Sequence, residues 1–219
     1  MSIKYCVWDV GQTIYPYTLA YLDEWAFAKT TDKAAFQNSG GVKTFDYNPY
    51  MDGKINDDEF CKSLCEKYHI PFGKQTLPEI NKAMHKGVGN FFEETIQTMA
   101  FLSQQGIENC ILSNALPLLS GTAPAQVKEK YRFASFDLKL LKPDPRIYQE
   151  VRRRLDCRFD EMIFIDDKDT VKYHLEQFEG ISAALQGYTK NCVISFLDLY
   201  QKVKRNFPEV KMVSKEQRK

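Results

Sequence analysis

Five short apolar runs separated by helix-length stretches constrain this chain most: "IKYCVWD", "IENCILSN", "ASFDLKLL", "EMIFIDD" and "ISAALQ". Continuous apolar runs of this length suit strands buried on both faces, as in a parallel sheet. The stretches between them are amphipathic. "EETIQTMAFLSQQG" ends on Gly106, where a helix stop belongs. "RIYQEVRRRLD" spaces Ile147, Val151 and Leu155 along one helix face and leaves Arg152 to Arg154 solvated. Strand alternating with helix from residue 95 onward predicts an α/β fold, a doubly wound Rossmann-like parallel sheet.

The first gap breaks that rhythm. Residues 15–94 hold no convincing strand but several helical patterns: "TLAYLDEWAFAKT", "NDDEFCKSLCEKYHI" with Asn56 and Asp57 as cap residues, and "LPEINKAMHKGVGNFFEETI". That is too much chain for one crossover helix, so an inserted α-helical cap is expected over 15–94. The core then comprises 1–14 and 95–206, and residues 207–219 form a basic C-terminal tail. Residues 202–219 carry seven basic side chains against two acids, which reads as a solvated end rather than a nucleic-acid arm.

Composition narrows the partners. Thirty basic residues against 29 acidic leave no bulk field to attract nucleic acid or an acidic membrane. No apolar run approaches the roughly 18 residues of a membrane span, and the start does not read as a signal peptide. Six cysteines, at 6, 61, 65, 110, 157 and 192, form no CxxC pair and no zinc spacing with histidine. Reduced thiols in a cytoplasmic protein are expected. His69, His85 and His174 lack ligand-spaced partners and read as structural; Trp8 and Trp25 read as packing.

Polar residues recur where the apolar runs end. Asp9 closes the first, Ser113 and Asn114 the second, and Asp166 with Asp167 close "MIFIDD". Lys142 stands in "LLKPDPRIY", before Pro143 and a new helix. A charge at the tip of a buried strand is costly unless something binds there. In a parallel sheet all these tips share one edge, where such folds bind ligands.

In this order the residues resemble those of the haloacid dehalogenase (HAD) superfamily, and the resemblance spans nearly the whole chain, with the cap in a customary place. It implies a hydrolase, a Mg²⁺-dependent phosphatase of a small phosphorylated metabolite such as a sugar phosphate. Asp9 is then the nucleophile, forming an aspartyl-phosphate that water hydrolyses. Asp9, the main-chain carbonyl of Gly11 and Asp167 are the implied Mg²⁺ ligands. Ser113, Asn114, Lys142 and the backbone at Gly11 are the implied phosphate contacts, and Asp166 steadies Lys142 or a metal-bound water. No nucleic-acid or membrane partner is implied, and the chain is expected as a monomer or homodimer.

Two positions depart from the family pattern. Most of its phosphatases carry a second aspartate two residues after the nucleophile, as general acid and then base; here Gly11 stands there. A subgroup that includes sugar-1-phosphate phosphatases also has "DxG", and an anomeric leaving group needs less protonation. Four residues after Asp167, where an acid or Asn is common, stands Val171; Asp169 is a substitute or a solvated loop acid. The alternatives are a catalytically weak or inactive phosphate-binding or interaction protein, and a 2-haloacid dehalogenase. Tyr47 or Tyr50 is expected to line a substrate pocket beneath the cap.

Overall fold

The computed structural model describes residues 4–166 and 193–194. Strand β1 (Tyr5–Trp8) is followed by α1 (Ala20–Lys29), α2 (Lys33–Ser39), α3 (Asn48–Met51), α4 (Asp57–Lys67) and α5 (Thr76–Lys86). Then come α6 (Glu93–Gln104), β2 (Glu108–Ser113), β3 (Arg132–Ala134), α7 (Ser135–Leu138), α8 (Pro145–Leu155), β4 (Met162–Ile165) and β5 (Val193–Ile194). The strands form one sheet in the order β3-β2-β1-β4-β5, and every pair is parallel. This is an α/β Rossmann-like sheet whose strand order reverses beside β1, the place where such sheets bind ligands.

Alternation along the strands fills both faces. Cys6 and Trp8 pack with Met99 and Leu102 of α6, whereas Val7 packs on the other face with Ile147, Tyr148 and Val151 of α8. Strand β2 divides likewise, Ile111 to the first face and Cys110 and Leu112 to the second. Two-sided burial explains why the runs read as uninterrupted apolar sequence. Trp8 is fully buried, and its Nε1 donates to Asn109 Oδ1 (2.9 Å), so its one polar atom is satisfied.

The third run is corrected. Its strand is Arg132–Ala134, and "SFDL" is a helical turn. Ser135 and Leu138, three residues apart, both face inward, and Lys139 ends the turn in a left-handed conformation (φ 56°). The run "ISAALQ" lies outside the described residues, as do Cys192, His174 and the C-terminal tail.

Between β1 and β2, helices α1 to α5 build a core of their own around Leu22, Phe36, Tyr50, Phe60, Leu64 and Ile80. Helix α4 begins with a complete capping box: Asn56 accepts from Glu59 N, and Glu59 accepts from Asn56 N. Two connectors join this unit to the sheet, and they run side by side. Thr18 N donates to Gly87 O (3.0 Å), Gly89 N to Pro16 O (2.9 Å), and Phe92 N to Ile14 O (2.8 Å). A Cβ at Gly87 would lie 2.1 Å from Thr18 O, so only glycine admits this approach. Cys6, Cys61, Cys65, Cys110 and Cys157 are free and buried, and burial pushes each thiol well above its ordinary pKa.

Candidate active site

Register brings the acidic tips together. Trp8 pairs with Ile165, and Asp9 N donates to Ile165 O (2.7 Å), so Asp9 stands beside Asp166 at the reversal point of the sheet. Lys142 reaches in from the segment before α8. Its Nζ donates to Asp9 Oδ1 and to Asp166 Oδ2, each at 2.6 Å. The three side chains are 12%, 5% and 8% exposed for Asp9, Asp166 and Lys142. Charges this dry persist only when paired. Burial raises the Asp9 pKa, and Lys142 opposes that rise while Asp166 adds to it. Burial works to lower the Lys142 pKa, but the two carboxylates together hold it above its ordinary value, so the ammonium keeps its proton.

Asn114 fixes that lysine. Its Nδ2 donates to Lys142 O (2.9 Å), and its Oδ1 accepts from Lys142 N (2.8 Å). Both ends of the amide are engaged by one main-chain unit, which ties the tip of β2 to the lysine loop. Ser113, buried at the same tip, is one residue beyond the level of Asp9, since Ile111 pairs with Trp8.

Gly11 sits in the turn after β1, where Ile14 N donates to Val10 O (2.8 Å) and Gln12 N to Tyr15 O (2.8 Å). The residue that needs unusual backbone there is Gln12 (φ 60°), not Gly11. A Cβ at Gly11 would meet nothing within 4 Å. Neither strain nor crowding calls for glycine at this position, in contrast to Gly87. What glycine does at 11 is leave space.

Two carboxylates against one ammonium leave a negative charge at a water-poor site, and the donors offered are hard oxygens. That chemistry fits Mg²⁺ better than zinc. Among the described residues, no three His, Cys, Asp or Glu side chains converge on a metal position. Asp167, expected as a ligand, lies outside the described residues, as do Asp169 and Val171.

Sequence reasoning missed two neighbours. Tyr148 of α8 lies beside Asp9, Lys142 and Asp166, its hydroxyl buried without a partner among the described residues. Burial first, then Asp166 and Asp9, raises its pKa, so it remains a phenol. An aromatic residue on an inward helix face reads as packing, so no signal marked it. The second is the recess next to the site, lined by Gly11, Tyr15, Tyr17, Ser113, Leu116 and Leu119 among others. Tyr47 and Tyr50 do not line it. Tyr50 is fully buried, donates to Asp57 Oδ1 (2.6 Å) and accepts from Leu118 N (3.2 Å); Tyr47 donates to Val42 O (3.0 Å). Both belong to the helical unit's own core.

Among the described residues no helix is long and apolar enough to cross a membrane. A family model described as a domain of unknown function, DUF1848, matches residues 147–219. The chain is similar to the structure of the HAD family enzyme bt-2542 from Bacteroides thetaiotaomicron, at 18% identity and a TM-score of 0.63, covering 89% of this chain and 94% of that one. Further structures of that enzyme hold magnesium, and magnesium with inorganic phosphate. A predicted HAD-like family hydrolase from Porphyromonas gingivalis matches at 16% identity and TM-score 0.62, covering 89% and 91% of the two chains. A 2-haloacid dehalogenase from Pseudomonas syringae pv. Tomato matches at 14% identity and TM-score 0.52, covering 76% and 78%. At these identities the likeness is one of fold, and the fold is that of HAD-family enzymes.

Proposed function

We propose that the chain is a Mg²⁺-dependent phosphatase of a small phosphorylated metabolite, working through an aspartyl-phosphate on Asp9. The observation that carries this reading is Lys142 Nζ bridging Asp9 and Asp166 at the reversal point of the sheet. An aspartate held by a lysine at that edge is oriented to attack, and the same ammonium is placed to meet the charge of an incoming phosphate. Asp9, the Gly11 carbonyl and Asp167 would hold Mg²⁺. When bound, it offsets the repulsion between carboxylate and phosphate. The Ser113 hydroxyl would donate to a phosphate oxygen, and Asn114 acts through Lys142 by fixing its main chain.

The dehalogenase likeness supplies the second reading. The shared negative charge at Asp9 and Asp166 suits a bound cation, which a phosphatase needs and a haloacid dehalogenase does not, and this favours the phosphatase. A third reading, a phosphate-binding protein without turnover, draws on Gly11. Incubation with a panel of phosphate monoesters and Mg²⁺, measuring inorganic phosphate, alongside chloride release from 2-chloropropionate, separates the three. Phosphate release that EDTA abolishes supports the proposal. Chloride release without metal, or phosphate binding with no product, contradicts it.

A further inference from the structure

The recess beside the site has a cavity volume of about 130 Å³. Its walls are mostly apolar: Val10, Tyr15 and Tyr17 from the connector after β1, Leu116 and Leu119 from the loop after β2, and Phe133 of β3. Gly11 and Ser113, the residues that flank the proposed phosphate position, are part of its lining. The polar side chains along it are Ser113, Asn114, Ser120, Thr122 and Arg132. The Asn114 amide is committed to Lys142, and the Arg132 guanidinium donates to Val127 O (3.0 Å). The Tyr17 hydroxyl is buried with no partner among the described residues. Aliphatic and aromatic residues outnumber the polar ones, so the wall suits a ring better than a sugar, whose hydroxyls each cost free energy if buried unpaired. An apolar cavity of roughly 150 Å³ is known to accept benzene, so the size suits one ring.

From this we infer that the substrate is a small aryl phosphate monoester whose ring occupies the recess, an inference that rests on the phosphatase reading. An independent feature points the same way. In the first step an Asp9 carboxylate oxygen bonds to phosphorus, the P–O(aryl) bond breaks, and the aryl oxygen leaves with the electron pair. A phenol has a pKa of about 10, as tyrosine does, against about 15.7 for water, which represents an ordinary hydroxyl. A phenolate therefore departs without the acid that Gly11 fails to supply, and it takes its proton from solvent. Water then attacks phosphorus, the P–O(Asp9) bond breaks, and inorganic phosphate leaves with the remaining proton passed to solvent. Glycine at 11 thus fits both halves of the inference: its missing side chain gives room for the ring, and the ring's chemistry makes the side chain dispensable.

The test compares kcat/KM for phenyl phosphate and for acetyl phosphate, which has no ring, in the presence of Mg²⁺. Ala123 also lines the recess, and Ala123→Phe fills it. The phenyl-to-acetyl ratio should fall at least about tenfold, the scale expected when a hydrophobic pocket is blocked. Leu119→Ala enlarges the recess and guards against a misfolded first variant; the ratio of 2-naphthyl to phenyl phosphate should rise in it. Glycerol phosphate should be a poorer substrate than phenyl phosphate for the wild type. Ratios that do not move in either variant, or a preference for glycerol phosphate, overturn the aryl assignment while leaving the phosphatase standing. A wild type inert toward phenyl and acetyl phosphate alike removes the phosphatase reading, and the aryl assignment with it.

Discussion

The strand-tip cluster and the recess lie a few residues apart along the connector after β1, yet they are built on opposite principles. At the tips, three charged side chains are buried and held by 2.6 Å hydrogen bonds, so their positions are over-determined. In the recess the walls are mostly apolar, and a buried Tyr17 hydroxyl has no partner among the described residues. The first arrangement is strong only in one geometry; the second tolerates shape changes at small cost. Chemistry on phosphorus therefore belongs to the rigid tips, and selection of the leaving group belongs to the adaptable recess. Substitutions at the two should fail differently.

The largest effect is expected at the nucleophile. Asp9→Asn keeps volume but removes the attacking charge, so phosphate release should fall by several orders of magnitude with the fold intact. Residual activity above about one per cent would exclude Asp9 as nucleophile. Circular dichroism on the same sample separates loss of chemistry from loss of fold. Next comes Lys142→Ala, which leaves two buried carboxylates without their shared cation. Unfolding in urea should show a loss of about 3–5 kcal/mol, the scale for breaking a buried pair. A loss below about 1 kcal/mol would mean that the cluster is solvated rather than dry.

Asp167→Asn should weaken Mg²⁺ binding at least about tenfold by calorimetry. Equal binding by the variant would move the metal elsewhere. Asn114→Ala is expected to act more gently, through the lysine it positions. Its kcat should drop by about 10²-fold, as for an ångström-scale misplacement, with KM little changed. Asn114→Asp keeps the acceptor for Lys142 N and should recover part of kcat; a purely structural role would show neither the split nor the recovery.

How much of this was legible in the sequence varied with how local the cause was. Asp9, Ser113 and Asp166 end buried strands, and a charge or hydroxyl directly after an apolar run is visible without coordinates. The strand at Arg132–Ala134 was misplaced because "ASFDLKLL" is apolar on the spacing of a helical turn as well as of a strand. Lys142 could be picked out by its neighbours, but its two-carboxylate bridge spans 133 residues of sequence and needs the sheet order to exist. The Asn114 clamp and the Tyr148 hydroxyl are of the same kind. Tyr47 or Tyr50 is expected at a pocket because the cap segment that carries them roofs the site, but both belong to the core of the helical unit instead. Gly11 is conspicuous in the sequence, yet only the space around it shows that the backbone does not require a glycine there.

The central claim is that Asp9 becomes phosphorylated and that, with glycine at 11, the acyl phosphate forms faster than water removes it. Stopped-flow release of p-nitrophenolate from p-nitrophenyl phosphate with Mg²⁺ tests this directly. Attack requires the carboxylate, the metal and Lys142, whereas breakdown also requires a water deprotonated beside the acyl phosphate. The expected trace is a burst approaching one equivalent of product per site, followed by slow turnover. Gly11→Asp, whose Cβ would meet nothing within 4 Å, should speed the slow phase, which follows departure of the ring. A linear trace with full steady turnover and no burst, or no product at all, would contradict the account.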